Sequence, residues 1–131
     1  MKTQDYLAWL FLASVAGGLW ESMYNAQYLP PFLPIYGFGT VGVIAVRQAV
    51  PSTPRLPLAV VLGILLSVFE CISGHWTYHF WGPNPKFTWN YEGKQVFGLL
   101  PFCNGYASVS VTVLWILAAY LVLLLFDASQ R

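Results

Sequence analysis

Charge is what this chain has least of. Asp, Glu, Lys and Arg make up 8% of its 131 residues and the formal net charge is +1, where soluble domains carry about 25% charged residues. With so few cations there is no basic stripe to neutralise phosphates, which argues against nucleic acid as a partner. Cysteine is scarce as well. Cys71 and Cys103 form neither a disulfide framework nor a metal-spacing motif, and both are expected to be small apolar packing residues. The phosphate-cradling Walker A pattern is missing, so any ATP-driven step belongs to another chain. Gly-x-Ser-x-Gly and His-Glu-x-x-His are also missing. The expectation is therefore a non-enzymatic chain with no catalytic residue, no metal and no cofactor.

What the chain has in excess is apolar surface: 57% of residues are hydrophobic and 18% aromatic. A single domain of this length cannot bury so much, so the surplus must face the lipid bilayer. The pattern predicts an all-α membrane domain over residues 1–131, with four transmembrane helices at about 5–25, 34–50, 56–80 and 106–126, each near the length needed to span. Lys2 followed by residues 6–19 has the outline of a secretory leader, with Ser14-Val15-Ala16 as a cleavage site. Because the chain carries it from Met1, a retained helix is expected. On the first segment Trp9, Trp20 and Tyr24 suit the interfacial belts, and Ala13, Ser14, Ala16, Gly17 and Gly18 offer a small face for close packing. On the second, Gly37, Gly39 and Gly42 suggest helix contact, and Arg47 is expected to snorkel to the interface. Residues 51–54 form a polar turn. A long third connection, 81–105, is rich in Pro, Gly and aromatics, and its 94–100 stretch could form a short interfacial helix. Four spans put both termini and the 51–55 turn on one side with Lys2, Arg47, Arg55 and Arg131, against Lys86 and Lys94 on the other. The excess of cations predicts cytoplasmic termini, or the equivalent side. Each half is then a helix with a glutamate near its far end, a Pro/Gly/aromatic connection and a returning helix, a faint echo of a repeated hairpin.

The chain is organised around residues 29–40, which hold three of its nine prolines and no charge. Pro30 and Pro31 hold the backbone out of helix, while Pro34 suits the first turn of the next one. Gly37 and Gly39 let another backbone approach. The hexapeptide Pro34-Ile35-Tyr36-Gly37-Phe38-Gly39 resembles the core signature of the family labelled putative ABC-transporter type IV, or CmpB-like, a group of small integral membrane proteins. Gly17-Gly18-Leu19-Trp20-Glu21, Glu70-Cys71-Ile72-Ser73-Gly74 and Trp89-Asn90-Tyr91-Glu92-Gly93-Lys94 resemble further elements in the same order. The similarity spans roughly residues 9–115. Tyr78 stands where the family has a second glutamate, and its Trp-Asp-Tyr element has no clean match. The resemblance implies a transport-associated membrane protein, with Pro34, Gly37, Gly39 and Gly93 as its backbone positions. It also raises the prospect that the 89–94 loop folds over residues 34–39.

Glu21 and Glu70 are the residues most able to carry chemistry. A carboxylate inside a membrane costs at least ~2.5 kcal/mol. Glu21 is fifteen residues beyond Tyr6 and Glu70 fourteen beyond Leu56, so both lie about 21–23 Å along helices running the same way. They are expected to converge beneath the 34–39 turn, with Tyr36 or Lys94 as polar partner and Asn90 nearby. One would then be protonated, or a cation would lie between them. The alternative is that each carboxylate accepts hydrogen bonds and only fixes the fold. His75 and His79 share a helix face, and with Glu70 a metal site is conceivable, but two amphipathic interfacial residues is the better reading. The functional expectation is a small permease or the membrane component of a multi-chain transporter, partnered by other membrane chains or by copies of itself. The alternative is a non-catalytic structural or assembly subunit of a larger membrane complex.

Overall fold

A computed structural model describes residues 2–25, 34–82 and 100–130, leaving aside the side chains of residues 21–25, 34–35 and 81. The described chain is helical apart from one short hairpin. Its elements are α1 (Thr3–Asn25), α2 (Pro34–Ala49), α3 (Arg55–Trp81), β1 (Pro101–Phe102), β2 (Ala107–Ser108) and α4 (Val109–Ser129). Helices are present at all four expected places, with the end of α1 and the start of α2 as expected and the other boundaries shifted by one to three residues. α2 begins on Pro34, where the missing N–H and fixed φ cost nothing. Pro54 precedes α3, and α3 stops at Gly82, whose φ of 64° is open to glycine and whose N–H donates to the Tyr78 carbonyl at 2.8 Å. Two helices, over Arg55–Phe80 and Val109–Ser129, are long and apolar enough to cross a membrane. α1 carries more polar residues, and α2 has 16 residues, fewer than the ~20 that span a bilayer upright.

The chain divides into two compact units, residues 1–53 with 125–131 and residues 54–124. In the first, α1 and α2 run antiparallel. The Tyr6 hydroxyl donates to Gln48 Oε1 at one end. Further along, Gly37 lies against Leu10 and Ser14, and Gly17 lies under the Tyr36 ring. The expected small face of α1 is thus real at Ser14, Gly17 and Gly18, which are buried, while Ala16 is exposed. Gly42 meets nothing within 4 Å, so it makes no close helix contact of the kind expected for it. Arg47 does not simply snorkel. Its Nε and Nη2 donate to the two carboxylate oxygens of Asp127 at 3.0 and 2.8 Å, and its Nη1 donates to the Thr53 carbonyl. The Trp9 ring meets Phe126 edge-on at 6.3 Å in the same unit.

In the second unit, α3 and α4 are also antiparallel. Gly63 lies so close to α4 that a Cβ there would stand 2.7 Å from both Cα and N of Ile116. Ser67 and Thr112 share a hydroxyl–hydroxyl bond, and Gly74 lies under the Tyr106 ring. Before α4 the strands pair antiparallel, Pro101 with Ser108 and Phe102 with Ala107. Cys103, Asn104 and Gly105 turn the hairpin with φ of 55°, 56° and 85°. The start of α4 therefore lies at Val109 and not near residue 106. Ser108 Oγ accepts from the Val111 N–H at 3.0 Å, an N-cap that fixes this start. Leu100, at φ 57°, lies in a bend, and the rest of the stretch where an interfacial helix was expected lies outside the described residues.

Many large apolar side chains lie on the outside of the helices. The packed seam of α3 is Leu58, Ala59, Leu62, Gly63, Ser67, Glu70 and Gly74, whereas Val61, Leu65, Phe69, Ile72, Trp76 and Phe80 are all more than half exposed. α4 repeats the pattern, with Ala119 and Leu123 buried and Val113, Leu117, Leu121 and Leu125 open. Glycine and serine at the closest approaches of the helices, with large apolar side chains left outside, suit helices packed against one another in lipid, where close backbone approach contributes to packing.

Candidate functional site

Glu70 lies on the packed face of α3, one turn beyond Ser67, and is 8% exposed. Trp115 of α4 donates its indole N–H to Glu70 Oε2 at 2.5 Å. The carboxylate is held at the helix pair where α3 is narrowed by Gly63 and Gly74, so a neighbouring ring can reach it. Reasoning from sequence did not single out Trp115. Its signal was weak, an indole within an otherwise aliphatic helix, at a depth that only the pairing of α3 with α4 reveals.

The next residue forms the second feature of the site. Cys71 is joined to Cys103 by a disulfide, with Cα atoms 5.9 Å apart, inside the range such bonds require. This corrects the expectation of two apolar packing cysteines. The 32 residues separating them gave no hint, because proximity arises from the α3 register and the hairpin turn. His75, one helical turn beyond Cys71, places Nε2 3.4 Å from Cys103 Sγ. Tyr106 meets the His75 ring edge-on at 4.8 Å while filling the space over Gly74. Among the described residues, Cys71, His75 and Cys103 bring three metal-donor atom types within 4.8 Å of one another, with both sulfurs here taken up by the disulfide. His79, paired with His75 in the sequence reading, instead meets Phe80 edge-on at 5.3 Å.

Of the other residues expected at the site, Tyr36 packs its ring on Gly17, and Gly37 packs on α1. Pro34 opens α2 and Gly39 lies half-buried within it. Glu21 falls in α1, but its side chain is outside the described residues, as are Asn90, Gly93 and Lys94. The expected convergence of Glu21 with Glu70, and the folding of the 89–94 loop over residues 34–39, therefore lie outside the described residues.

Among the described residues, two helices of spanning length and apolar composition, with many large apolar side chains outside, are features of a helical membrane protein. The family model described as "Putative ABC-transporter type IV" matches residues 8–130, and the chain belongs to that family. No curated protein and no solved structure matches it.

Proposed function

We propose that this chain crosses the membrane four times and works as the membrane component of a multi-chain transporter. The observation that carries the reading is α3, which buries Ser67, Glu70 and the glycines Gly63 and Gly74 on its packed face while Val61, Leu65, Phe69, Ile72, Trp76 and Phe80 stay more than half exposed. A helix facing lipid can carry that pattern stably, and a carboxylate within it is costly enough to be tied to function. The family's link to ABC transporters supports the same reading. With no phosphate-binding loop in the sequence, ATP hydrolysis falls to a partner chain. In this reading α1 and α2 form the second spanning pair, and both termini and the 51–55 turn face the cytoplasm. Residues 26–33 and 83–99 then share the opposite side. Glu21 and Glu70 are the candidate polar residues within the membrane in this reading, with Tyr36, Asn90 and Lys94 as further candidates.

The test is purification of the tagged chain in mild detergent from its native membrane, together with a Glu70→Gln variant. Recovery with an ATP-hydrolysing chain, and loss of the associated uptake in Glu70→Gln at unchanged yield, is the expected result. An obligate complex with neither an ATPase nor a transport chain would replace this reading with that of a structural subunit. Cysteine-accessibility mapping at residues 2, 52 and 130 should label all three from one side, and a split among them would overturn four spans.

A further inference from the structure

We propose that Cys71, Cys103 and His75 form a redox-gated binding site for a thiophilic d10 cation, Zn²⁺ or Cu⁺. Three observations meet here. Cys71 and His75 are four residues apart on α3, so their side chains leave the same helix face. Cys103 is delivered to that face by the left-handed turn of the hairpin at φ 55°. The three donor atoms lie within 4.8 Å of one another. Around a tetrahedral Zn²⁺ with Zn–S near 2.3 Å and Zn–N near 2.0 Å, coordinated sulfur and nitrogen atoms stand about 3.6 Å apart. His75 Nε2 and Cys103 Sγ are already 3.4 Å apart. Cα atoms 5.9 Å apart can carry two sulfurs either bonded to each other or both bound to one ion. Two thiolates and one imidazole are a soft donor set that favours these ions over Mg²⁺ or Ca²⁺. Three protein ligands leave a coordination position for water or a transported group.

The disulfide and the metal exclude each other, since each needs both sulfurs. An external dithiol reduces the Cys71–Cys103 bond, delivering two electrons and two protons, and leaves as its own disulfide. The two thiols then bind the cation through sulfur, releasing both protons, while neutral His75 donates its ring lone pair. An external disulfide reverses the sequence. It takes two electrons from the two thiolates, re-forms the Cys71–Cys103 bond, is itself reduced to two thiolates that take up two protons from water, and frees the ion. The Tyr106 ring, buried over Gly74 and edge-on to His75, holds the imidazole toward the sulfurs and limits the reorganisation that binding needs.

The full chain in detergent, reduced anaerobically with a non-thiol reductant, is titrated with Zn²⁺ alone and with Cu⁺ alone. The expected result is one ion per chain for at least one of the two. The disulfide form should bind neither ion at that site. His75→Ala keeps the disulfide and with it the native hairpin, and its affinity after reduction should fall by about 10-fold or more, whereas His79→Ala should be unchanged. Cys71→Ser and Cys103→Ser should each weaken binding by about 100-fold or more. Failure of reduced wild-type chain to bind either ion overturns the proposal. So does equal binding by the disulfide form, or equal binding by the His75→Ala variant and wild type.

Discussion

The two units solve the same problem, pairing antiparallel helices whose outer faces are apolar, with their polar groups in different places. In the α1–α2 unit, strong polar contacts gather at one end, where Arg47 grips Asp127 with two parallel hydrogen bonds and Tyr6 reaches Gln48. That end also carries Lys2, Gln130 and the polar turn at Pro51, so water can share in solvating it. In the α3–α4 unit, polar groups lie along the seam itself: the Ser67–Thr112 bond, the Trp115–Glu70 bond, then the disulfide. A terminal ion pair is a clasp. A carboxylate within the seam is desolvated whatever its role, and is the better candidate for moving or binding something.

Four tests, two of them run against a paired variant, would break or sharpen that contrast, with unfolding free energy in detergent as the readout. The largest effect should come from the Cys71→Ser/Cys103→Ser double variant. It opens a loop closed across a separation of 32 residues and should destabilise the oxidised protein by ~4 kcal/mol on the loop-entropy model. A loss below about 1 kcal/mol would mean that the seam holds the hairpin without the bond. Asp127→Ala should follow, at about 3 kcal/mol, because it strands the Arg47 guanidinium at a site where the paired side chains are only 13% and 18% exposed. If the loss is instead a few tenths, the pair behaves as a solvated surface bridge, and the clasp description fails.

Gly63→Ala comes third. The new methyl must push Ile116 backbone aside, at a cost of about 1–3 kcal/mol. Gly42→Ala is its control: nothing lies within 4 Å of that position, so removing a helical glycine should be neutral or stabilise by up to ~1 kcal/mol. Equal effects at the two sites would contradict the close packing of α3 on α4. The smallest expected loss is that of Trp115→Phe, about 1–2 kcal/mol from withdrawing one donor from a buried carboxylate. It should be paired with Glu70→Gln, whose amide oxygen can still accept the indole N–H. If Glu70 serves transport, Glu70→Gln removes function at near-native stability while Trp115→Phe retains part of it. The reverse ranking would assign Glu70 to structure.

The sequence determined the helices because their signals are local. Apolar runs of spanning length mark α3 and α4, and Pro34, Pro54 and Gly82 punctuate the chain by fixing φ, by lacking an N–H, or by tolerating a positive φ. Family membership was legible for the same reason, since Pro34-Ile35-Tyr36-Gly37-Phe38-Gly39 is contiguous. The cost of Glu70 within an apolar segment could also be read directly. Its partner could not. Which residue of α4 meets Glu70 depends on the register in which two helices cross, and that register is set by Gly63 against Ile116 and Gly74 against Tyr106. Arg47 looked like a lone interfacial cation because Asp127 is 80 residues away in sequence. Cys71 and Cys103 looked like packing residues because only the left-handed turn at residues 103–105 carries one sulfur back to the other. Local backbone preference and hydrophobic length are properties of a segment, so sequence fixes them. Pairing across segments depends on which side chains are small enough to let two backbones meet, and only the tertiary structure decides that.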